Sequence, residues 1–259
     1  MPKTPILKSE EQKEILRDAW KWHNELLRIL MEAAKEWVRL VDIEQQAENF
    51  LNMHNLTWAF KWYHWFPANC CLSVNDCVVH GIPDDTILQN WDLLKIDIGV
   101  TYKGLITDAA VSLIIWWKEH NKEAAKLVQA THLALDKWLK TLYPWSTFLW
   151  YGKTVEQTIK DNWMSIIKNL TWHWVWLDVH EAPTIYNRPH KSLKKIIAEP
   201  WMVVALEPIT AISSNSYTHG KKNEWNLYTQ NRDLWAQREY TVIINDTRIE
   251  IIAWIQEYH

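Results

Sequence analysis

Two aspartates of this chain stand inside apolar segments, where a charged side chain is costly. Asp97 lies in the run LLKIDIGV and Asp108 in GLITDAAVSLII. Both runs have the β-branched content that is typical of strands. Burying a carboxylate in such a strand is unfavourable unless a cation or hydrogen-bond donors compensate its charge. The segment between the two runs is short, which predicts an antiparallel hairpin.

This hairpin predicts that the two carboxylates face each other. If Tyr102 and Lys103 form a two-residue turn, Asp97 stands opposite Asp108, with their Cβ atoms about 4.5–5.5 Å apart. Like charges at that distance repel each other strongly and need a neutralising partner. Two divalent metal ions about 3.5–4 Å apart would suit a pair of facing carboxylates. A structural ion pair with a lysine or arginine elsewhere in the chain is the alternative, and the hairpin alone leaves both open.

Three further residues could complete an oxygen-rich metal site. His173 lies in TWHWVW, Glu207 in MVVALEP and Glu239 at the start of EYTVIIN. Taken singly, each has a plainer explanation, such as a hydrogen-bonded core histidine or a solvent-facing carboxylate. Together with the two aspartates they make four carboxylates and one imidazole. That donor set suits Mn, Fe(II), Co or Zn better than a structural zinc, which favours thiolates.

The composition restricts the class of protein. The chain has 259 residues and a net charge of −3, which argues against a nucleic-acid-binding or anionic-membrane-binding surface. Its three cysteines make no CxxC pair and no disulfide framework, as expected in a reducing compartment. No apolar run reaches the roughly 18 residues of a membrane span. We therefore expect a soluble cytoplasmic protein.

The order of predicted elements indicates an α+β protein. Capping-box signatures at Ser9, Asp42 and Thr154 predict helices that end near residues 36, 54 and 170. A further helical pattern covers 118–143, and strands dominate 71–115 and the chain after 170. The order is helices, strands, helices and strands again. This repetition indicates a duplicated architecture with helices on one side of an antiparallel sheet. Without a low-complexity linker, residues 1–259 are expected to form one domain, with 1–8 disordered or loosely attached.

Five motifs, in this order, resemble those of the methionine aminopeptidases: HGIP at 80–83, IDIG at 96–99 followed by Asp108, HWVWLDVHEAP at 173–183, ALEP at 205–208 and AQREYT at 236–241. The resemblance covers the chain from about residue 7 to 251. It implies the pita-bread fold, a duplicated antiparallel sheet with helices on one side. It also implies two divalent metal ions (Co, Mn, Fe(II) or Zn) held by Asp97, Asp108, His173, Glu207 and Glu239.

The resemblance also assigns substrate-binding and catalytic residues. It places His80 and His180 against the substrate amide, where a hydrogen-bond donor stabilises the oxyanion as it forms. The side chain of the substrate methionine would lie in a pocket, and Glu207 would carry the proton to the leaving amide. The pocket residues implied are Tyr63, Phe66 and Cys71, with Trp225 at the rim.

The implied reaction is removal of the N-terminal methionine from nascent proteins with a small second residue. A hydroxide that bridges the two metals would attack the carbonyl, while the free α-amine binds a metal. Only 32 positions separate Glu207 from Glu239, which leaves no room for the helical insertion of type II enzymes and indicates type I. Nascent N-termini are the expected partners, with possible transient ribosome contact, and a monomer is expected.

Two alternatives remain from the sequence. A proline-specific aminopeptidase or prolidase shares the fold but carries an extra N-terminal domain, and fewer than 80 residues precede HGIP. A metal-free pita-bread binding module is favoured if bulky tryptophans truly flank His173. The metal content of the purified protein would distinguish a binding module from an enzyme.

The tryptophan content is abnormal, with 20 tryptophans and only 5 glycines. Several tryptophans follow Asn or Pro, where N-G and P-G turn dipeptides would be ordinary. Thirteen align with glycine in the family pattern: Trp20, Trp37, Trp62, Trp65, Trp91, Trp117, Trp138, Trp145, Trp150, Trp172, Trp174, Trp176 and Trp201. Glycine provides positive φ or close backbone approach, which a side chain denies. Our hypothesis is that the gene encodes glycine by UGA and that UGA was read here as tryptophan.

The coding DNA tests this hypothesis directly. The thirteen codons should be UGA, whereas Trp225, at a position where the type I family itself has tryptophan, should be UGG. Thirteen UGG codons would contradict the hypothesis and favour the metal-free binding module.

Overall fold

The computed structural model describes residues 9–116, 121–175, 178–221 and 223–252. The expectation for residues 1–8 therefore lies outside the described part of the chain. Four α-helices are present in it: α1 Glu10–Ala33, α2 Leu40–Met53, α3 Lys122–Leu139 and α4 Leu149–Asp161. None of the described helices is both long enough and apolar enough to span a membrane.

Only the first of the three predicted capping boxes is confirmed. The Ser9 hydroxyl accepts a hydrogen bond from the Gln12 amide at 3.2 Å, and the Gln12 side chain accepts one from the Ser9 amide at 2.9 Å. The other two predictions are wrong, because α2 begins two residues before Asp42 and α4 five residues before Thr154. Backbone amides at the starts of these two helices donate to distant carbonyl groups. The Leu40 amide donates to the Thr86 carbonyl, and the Phe148 amide donates to the Ile196 carbonyl.

The predicted end of the second helix near residue 54 is confirmed, because α2 ends at Met53, but the other two ends differ from those predicted. Helix α1 stops before residue 36, and α4 stops at Asp161 where a helix to residue 170 was expected. Trp37 and Trp163, which follow these ends, adopt positive φ angles of 71° and 62°. Trp163 directly follows the C-cap of α4, and a left-handed residue there cannot continue a right-handed helix, whereas α1 has already ended four residues before Trp37.

Fifteen strands form four sheets in the described residues. They are β1 Thr57–Trp58, β2 Cys70–Val74, β3 Cys77–Val78, β4 Leu93–Tyr102, β5 Leu105–Ile114, β6 Ser165–Ile166, β7 Thr171–Trp174, β8 Glu181–Tyr186, β9 Val203–Leu206, β10 Ile209–Ala211, β11 Tyr217–His219, β12 Leu227–Thr229, β13 Trp235–Gln237, β14 Tyr240–Ile244 and β15 Ile249–Ile251. In the first large sheet β4 pairs with β1, β2 and β5, and the second has the order β15-β14-β9-β7-β8. All the pairings are antiparallel.

The central hairpin exists, but its register differs from the predicted one. Its turn residues are Lys103 and Gly104, with φ angles of 48° and 79°. Positive φ at both positions is the type I′ turn that matches strand twist. Asp97 consequently pairs with Ala110, and Asp108 with Gly99, so the aspartates are diagonal neighbours and do not stand directly opposite. A slip of two positions preserves the face of the sheet, so both carboxylates still lie on one side.

Each large sheet is covered by two helices. Helices α1 and α2 bury Leu26, Leu30 and Ile43 against the apolar face of β4, which includes Ile96 and Ile98. A second core joins α3 and α4 to β9 and β14 in the same way. This repetition is the duplicated α+β plan that the sequence predicted.

The two halves meet where β5 crosses β14. The Asp108 amide donates to the Thr241 hydroxyl at 2.9 Å, and that hydroxyl donates to the Asp108 carbonyl at 2.6 Å. The Glu239 amide donates to the carbonyl of Ala110 at 2.9 Å. These bonds place one candidate metal ligand of each half beside the other.

Eight tryptophans of the described chain have positive φ, between 62° and 78°: Trp37, Trp62, Trp65, Trp91, Trp116, Trp145, Trp163 and Trp201. Six of them belong to the thirteen positions assigned to glycine. Positive φ is uncommon for a residue with a Cβ and is the conformation in which glycine is favoured. The backbone at these positions therefore has the stereochemistry of glycine, as the hypothesis expects.

The remaining seven of the thirteen positions do not add to this evidence. Trp20, Trp138 and Trp150 lie inside helices, and Trp138 packs in the second core against Phe148 and Tyr151. Trp117 and Trp176 fall outside the described residues, as do the side chains of Trp172 and Trp174.

Replacing Trp163 by glycine should stabilise the protein. The Trp163 residue is 92 % exposed, so little packing is lost, and the change removes left-handed strain of about 1–2 kcal/mol. The more flexible unfolded chain offsets about 0.4–1 kcal/mol of that gain. We expect the melting temperature to rise by about 2–4 °C per kcal/mol gained, measured by scanning calorimetry.

Trp58→Gly is the matched control, because Trp58 is also exposed but lies in strand β1. Glycine weakens a strand, so this variant should melt at a lower temperature. Equal destabilisation by both variants would show that the positive φ of Trp163 carries no strain.

Candidate metal centre

All eleven residues singled out from the sequence line one cavity of about 460 Å³. The cavity lies where the two halves meet, and residues from both contribute to its wall. They are Tyr63, Phe66, Cys71, His80, Asp97, Asp108, His173, His180, Glu207, Trp225 and Glu239. The structure thus brings together positions that span more than two thirds of the chain.

The five candidate metal ligands are carried by sheet strands or their ends. Asp97 and Asp108 project from β4 and β5, and His173 lies in β7. Glu207 follows β9 directly, and Glu239 directly precedes β14. Strand pairing therefore fixes the backbone at each candidate ligand or at the residue beside it.

Three of these residues form a tight group. Asp108, His173 and Glu239 are buried, and each offers a ligand atom within 4.8 Å of the other two. His173 also connects the group to Glu207, with 3.8 Å between Nε2 and Oε1. Such a group of two carboxylates and an imidazole is a donor set that divalent metals accept.

Gln237 connects the two remaining carboxylates. Its Nε2 donates to Glu207 Oε2 at 2.7 Å, and the same side chain opposes the rise in the pKa of Asp97 that burial causes. Gln237 was not among the site residues predicted from the sequence, although it lies in AQREYT only two positions before Glu239. The two-residue spacing typical of one sheet face was the signal that could have identified it.

The four carboxylates are poorly compensated by the protein itself. Desolvation, and then repulsion between carboxylates, raises the pKa of Asp108 and Glu239 well above the ordinary value. Desolvation likewise raises the pKa of Glu207 well above its usual range and that of Asp97 to about 7. Within the described chain, no lysine or arginine forms an ion pair with any of the four.

Three oxygen atoms of this site are inaccessible to solvent and accept no hydrogen bond: Asp97 Oδ1, Asp108 Oδ1 and Glu239 Oε1. An unsatisfied buried carboxylate oxygen is costly and calls for a positive partner. Because the protein provides no such cation among its described residues, the donor set fits divalent metal ions. The alternative of a structural ion pair with Asp97 and Asp108 is disfavoured.

Two histidines lie beside the carboxylates. The rings of His173 and His180 are 4.3 Å apart, and His80 contacts Trp225 with 5.9 Å between ring centroids. Desolvation, with a smaller contribution from His180, lowers the pKa of His80 to about 4, and desolvation also lowers the pKa of His180. Both imidazoles are therefore neutral near pH 7, and each can donate one hydrogen bond.

Part of the cavity wall is apolar. It includes Tyr63, Phe66, Cys71 and Trp225, and the rings of Phe66 and Trp225 meet edge to face at 5.3 Å. Burial raises the pKa of the Cys71 thiol well above its usual value, so it remains a neutral, weakly polar surface.

Several further residues that line the cavity were not predicted from the sequence. Phe60 and His64 lie close in sequence to the predicted Tyr63. Leu170 and Ile209 also line the cavity, beside His173 and Glu207 in sequence. Their proximity along the chain to candidate ligands was a usable signal.

The fold and the carboxylate-rich cavity define a metal-dependent peptidase. The model of metallopeptidase family M24 matches residues 14–249, and the chain belongs to this family. Family membership implies that divalent metal ions bind here, in agreement with the unpaired carboxylates.

Within that family the similarity is to methionine aminopeptidases. Those of Clostridium acetobutylicum and Clostridium perfringens are each 30% identical to the chain, over 96% and 97% of it and 98% and 99% of their own lengths. The crystal structure of the Thermotoga maritima methionine aminopeptidase superposes with a TM-score of 0.91 at 24% identity, over 96% of this chain and 99% of that one. The predicted pita-bread fold and methionyl aminopeptidase family are confirmed.

The elevated carboxyl pKa values predict how metal removal changes stability with pH. The metal-free folded protein retains protons that the unfolded chain has already released above about pH 4. Its free energy of unfolding should therefore fall as pH rises through about 7 and beyond. Added Mn²⁺ or Co²⁺ should raise the melting temperature more at pH 8.5 than at pH 6.5.

Differential scanning fluorimetry with and without a chelator measures this effect. The double variant Asp97→Asn, Glu239→Gln is the control: it should lose the metal response and show a weaker pH dependence, because two of the four carboxyl groups no longer titrate. A metal-free protein that becomes more stable from pH 6.5 to 8.5 would contradict the prediction.

Proposed function

We propose that this protein removes the N-terminal methionine from polypeptides whose second residue is small. The observation that carries the proposal is the convergence of an apolar pocket, two neutral histidines and four uncompensated carboxylates in one cavity. The relatives named methionine aminopeptidase, aligned over nearly the whole chain, support this substrate class.

The cavity has complementary surfaces for each part of such a substrate. The methionine side chain would pack among Tyr63, Phe66, Cys71 and Trp225, where its thioether gains contacts with aromatic rings. The α-amine would then point towards the carboxylates. Because only a chain terminus has this amine, the arrangement selects the first residue of the substrate.

We further propose that the site holds two divalent metal ions. Asp97, Asp108, His173, Glu207 and Glu239 would hold them, whether the native ion is Co, Mn, Fe(II) or Zn. When bound, the ions supply a water activated for attack and a Lewis acid for the scissile carbonyl. The uncompensated charge of four carboxylates supports a pair of ions over a single one.

The protein side chains would orient the amide and move its proton. His80 and His180, neutral at pH 7, can each donate a hydrogen bond to the carbonyl oxygen as negative charge develops on it. Glu207, with its raised pKa, is suited to take a proton and deliver it to the leaving nitrogen. The bond from Gln237 holds one Glu207 oxygen, which leaves the other available.

Proline-specific enzymes of this fold are less similar to the chain. The Pyrococcus horikoshii prolidase superposes with a TM-score of 0.75 at 16% identity, and the match spans 65% of that protein. We therefore favour the type I methionine aminopeptidase activity. The metal-free binding module would leave the buried oxygens of the three unsatisfied carboxylates without a partner. The expected partners are nascent N-termini, and the protein would contact the ribosome transiently. We expect the protein itself to be monomeric and cytoplasmic.

Peptide cleavage tests the proposal. With Co²⁺ or Mn²⁺ added, the protein should release methionine from Met-Ala and Met-Gly peptides and leave Met-Lys peptides intact. Asp97→Ala and Glu207→Ala should lose metal and turnover, as measured by metal analysis and chromatography, whereas exposed Lys194→Ala should lose neither. Cleavage before proline without preference for methionine would refute the proposal.

His180→Ala tests the role of the histidine separately. Loss of one oxyanion donor should slow turnover about 10²–10³-fold while metal content is retained. Steady-state kinetics with metal analysis on the same sample measures both quantities. Unchanged turnover would remove His180 from the mechanism.

A further inference from the structure

Lys95 is a buried lysine that the proposed mechanism does not use. It lies on β4 two residues before Asp97, so both side chains emerge on the same face of the sheet. The residue is 1% exposed. Its Nζ donates to the Asn75 carbonyl at 2.8 Å and to the Leu93 carbonyl at 3.0 Å, and lies 4.6 Å from the centre of the Trp235 ring.

These contacts are those of an enclosed ammonium group. Two carbonyl oxygens and the face of an indole are suitable partners for a desolvated cation. Trp235 is itself fixed, because its indole N–H donates to the Cys77 carbonyl.

The Asn75 carbonyl belongs to the turn that leads to His80. Asn75 has a φ of 51°, and its backbone amide donates to the same Leu93 carbonyl that Lys95 contacts, at 2.9 Å. Its side chain accepts from the Leu93 amide at 2.9 Å and donates to Asp92 at 2.7 Å. Lys95 thus joins a network that ties the turn to β4.

The backbone of the following residues is strained. Val79 and His80 have φ angles of 34° and 52°, and positive φ is a genuine outlier for a β-branched residue such as Val79. Such conformations persist only where the surroundings enforce them. Pairing of β3 with β12 holds one side of this segment, and the Gly81 amide bonded to Ser73 Oγ holds its end.

We propose that Lys95 is a positioning residue, an internal cation that ties the turn at Asn75 to β4 and thereby sets His80 relative to Asp97. The proposal rests on the proposed function, because it assigns His80 a task at the substrate carbonyl. Lys95 itself contacts neither the cavity wall nor the candidate metal ligands through any described hydrogen bond. Its effect on catalysis would act through the backbone of residues 75–80.

The first test is Lys95→Met, which keeps the length of the side chain and removes its charge and donors. We expect kcat to fall about 10–100-fold, since a displacement of about 1 Å can cost 10²-fold in rate. KM, metal content and melting temperature should change little. Lys194→Met, on the exposed basic segment, is the matched control and should keep the wild-type kcat.

A double variant shows whether Lys95 acts through His80. If it does, Lys95→Met combined with His80→Ala should be no slower than His80→Ala alone, because the two residues act as a unit. Additive losses would overturn the proposal. Loss of metal together with activity in Lys95→Met would also overturn it, since Lys95 would then support Asp97 and not His80.

Chemical rescue distinguishes a positioning role from a purely structural one, because a structural defect would not respond to a small ammonium ion. In Lys95→Ala, n-propylammonium matches the missing Cγ–Nζ segment and should restore kcat several-fold at millimolar concentrations. Tetramethylammonium, which has no N–H donor, should not, and wild type should respond to neither. Absence of rescue together with full activity of Lys95→Met would refute the role.

Hydrogen exchange separates failure of this proposal from failure of the proposed function. The amides of residues 76–81 should exchange faster in Lys95→Met than in wild type, whatever substrate the wild type cleaves. If the wild type releases no methionine, the proposed function fails and exchange still tests the anchoring. If Lys95→Met does not fold, Lys95→Gln, which retains a donor, takes its place in the same measurements.

Discussion

Mutual repulsion of four carboxylates in a desolvated cavity is the constraint on which this structure depends. Burial and repulsion raise their pKa values, and oxygens of Asp97, Asp108 and Glu239 have no hydrogen-bond partner. No lysine or arginine among the described residues forms an ion pair with these carboxylates. The fold must therefore hold these groups together against their repulsion, and divalent cations would convert that cost into binding energy.

The duplicated architecture provides the necessary rigidity. Each half is a sheet backed by two helices, and the halves meet through the reciprocal bonds between Asp108 and Thr241 and the bond from Glu239 to Ala110. Ligands therefore come from strands of both halves, and neither half could form the site alone. The histidines and the apolar pocket surround this junction, so substrate recognition and charge compensation share one cavity.

Backbone stereochemistry imposes a second constraint. Positions with positive φ favour glycine, but the sequence has tryptophan at several of them. Eight described tryptophans adopt the left-handed conformation, and Trp163 among them is almost wholly exposed. At about 1–2 kcal/mol each, this strain would rival the roughly 5–15 kcal/mol that keeps a domain folded. The fold nevertheless matches that of its relatives closely. Glycine at these positions would allow this fold without the strain.

The sequence alone determined the residue types of the site, the family and the α+β plan, because these depend on local patterns and spaced motifs. It also placed Asp97 and Asp108 on one face, since a two-position slip preserves that face. The tertiary structure decided the register, through a type I′ turn at Lys103 and Gly104 that turn chemistry alone left ambiguous. The tertiary structure also decided where the helices begin, because distant backbone groups bind their first amides. It decided the role of Gln237 as well, because the partner of that side chain is distant in sequence.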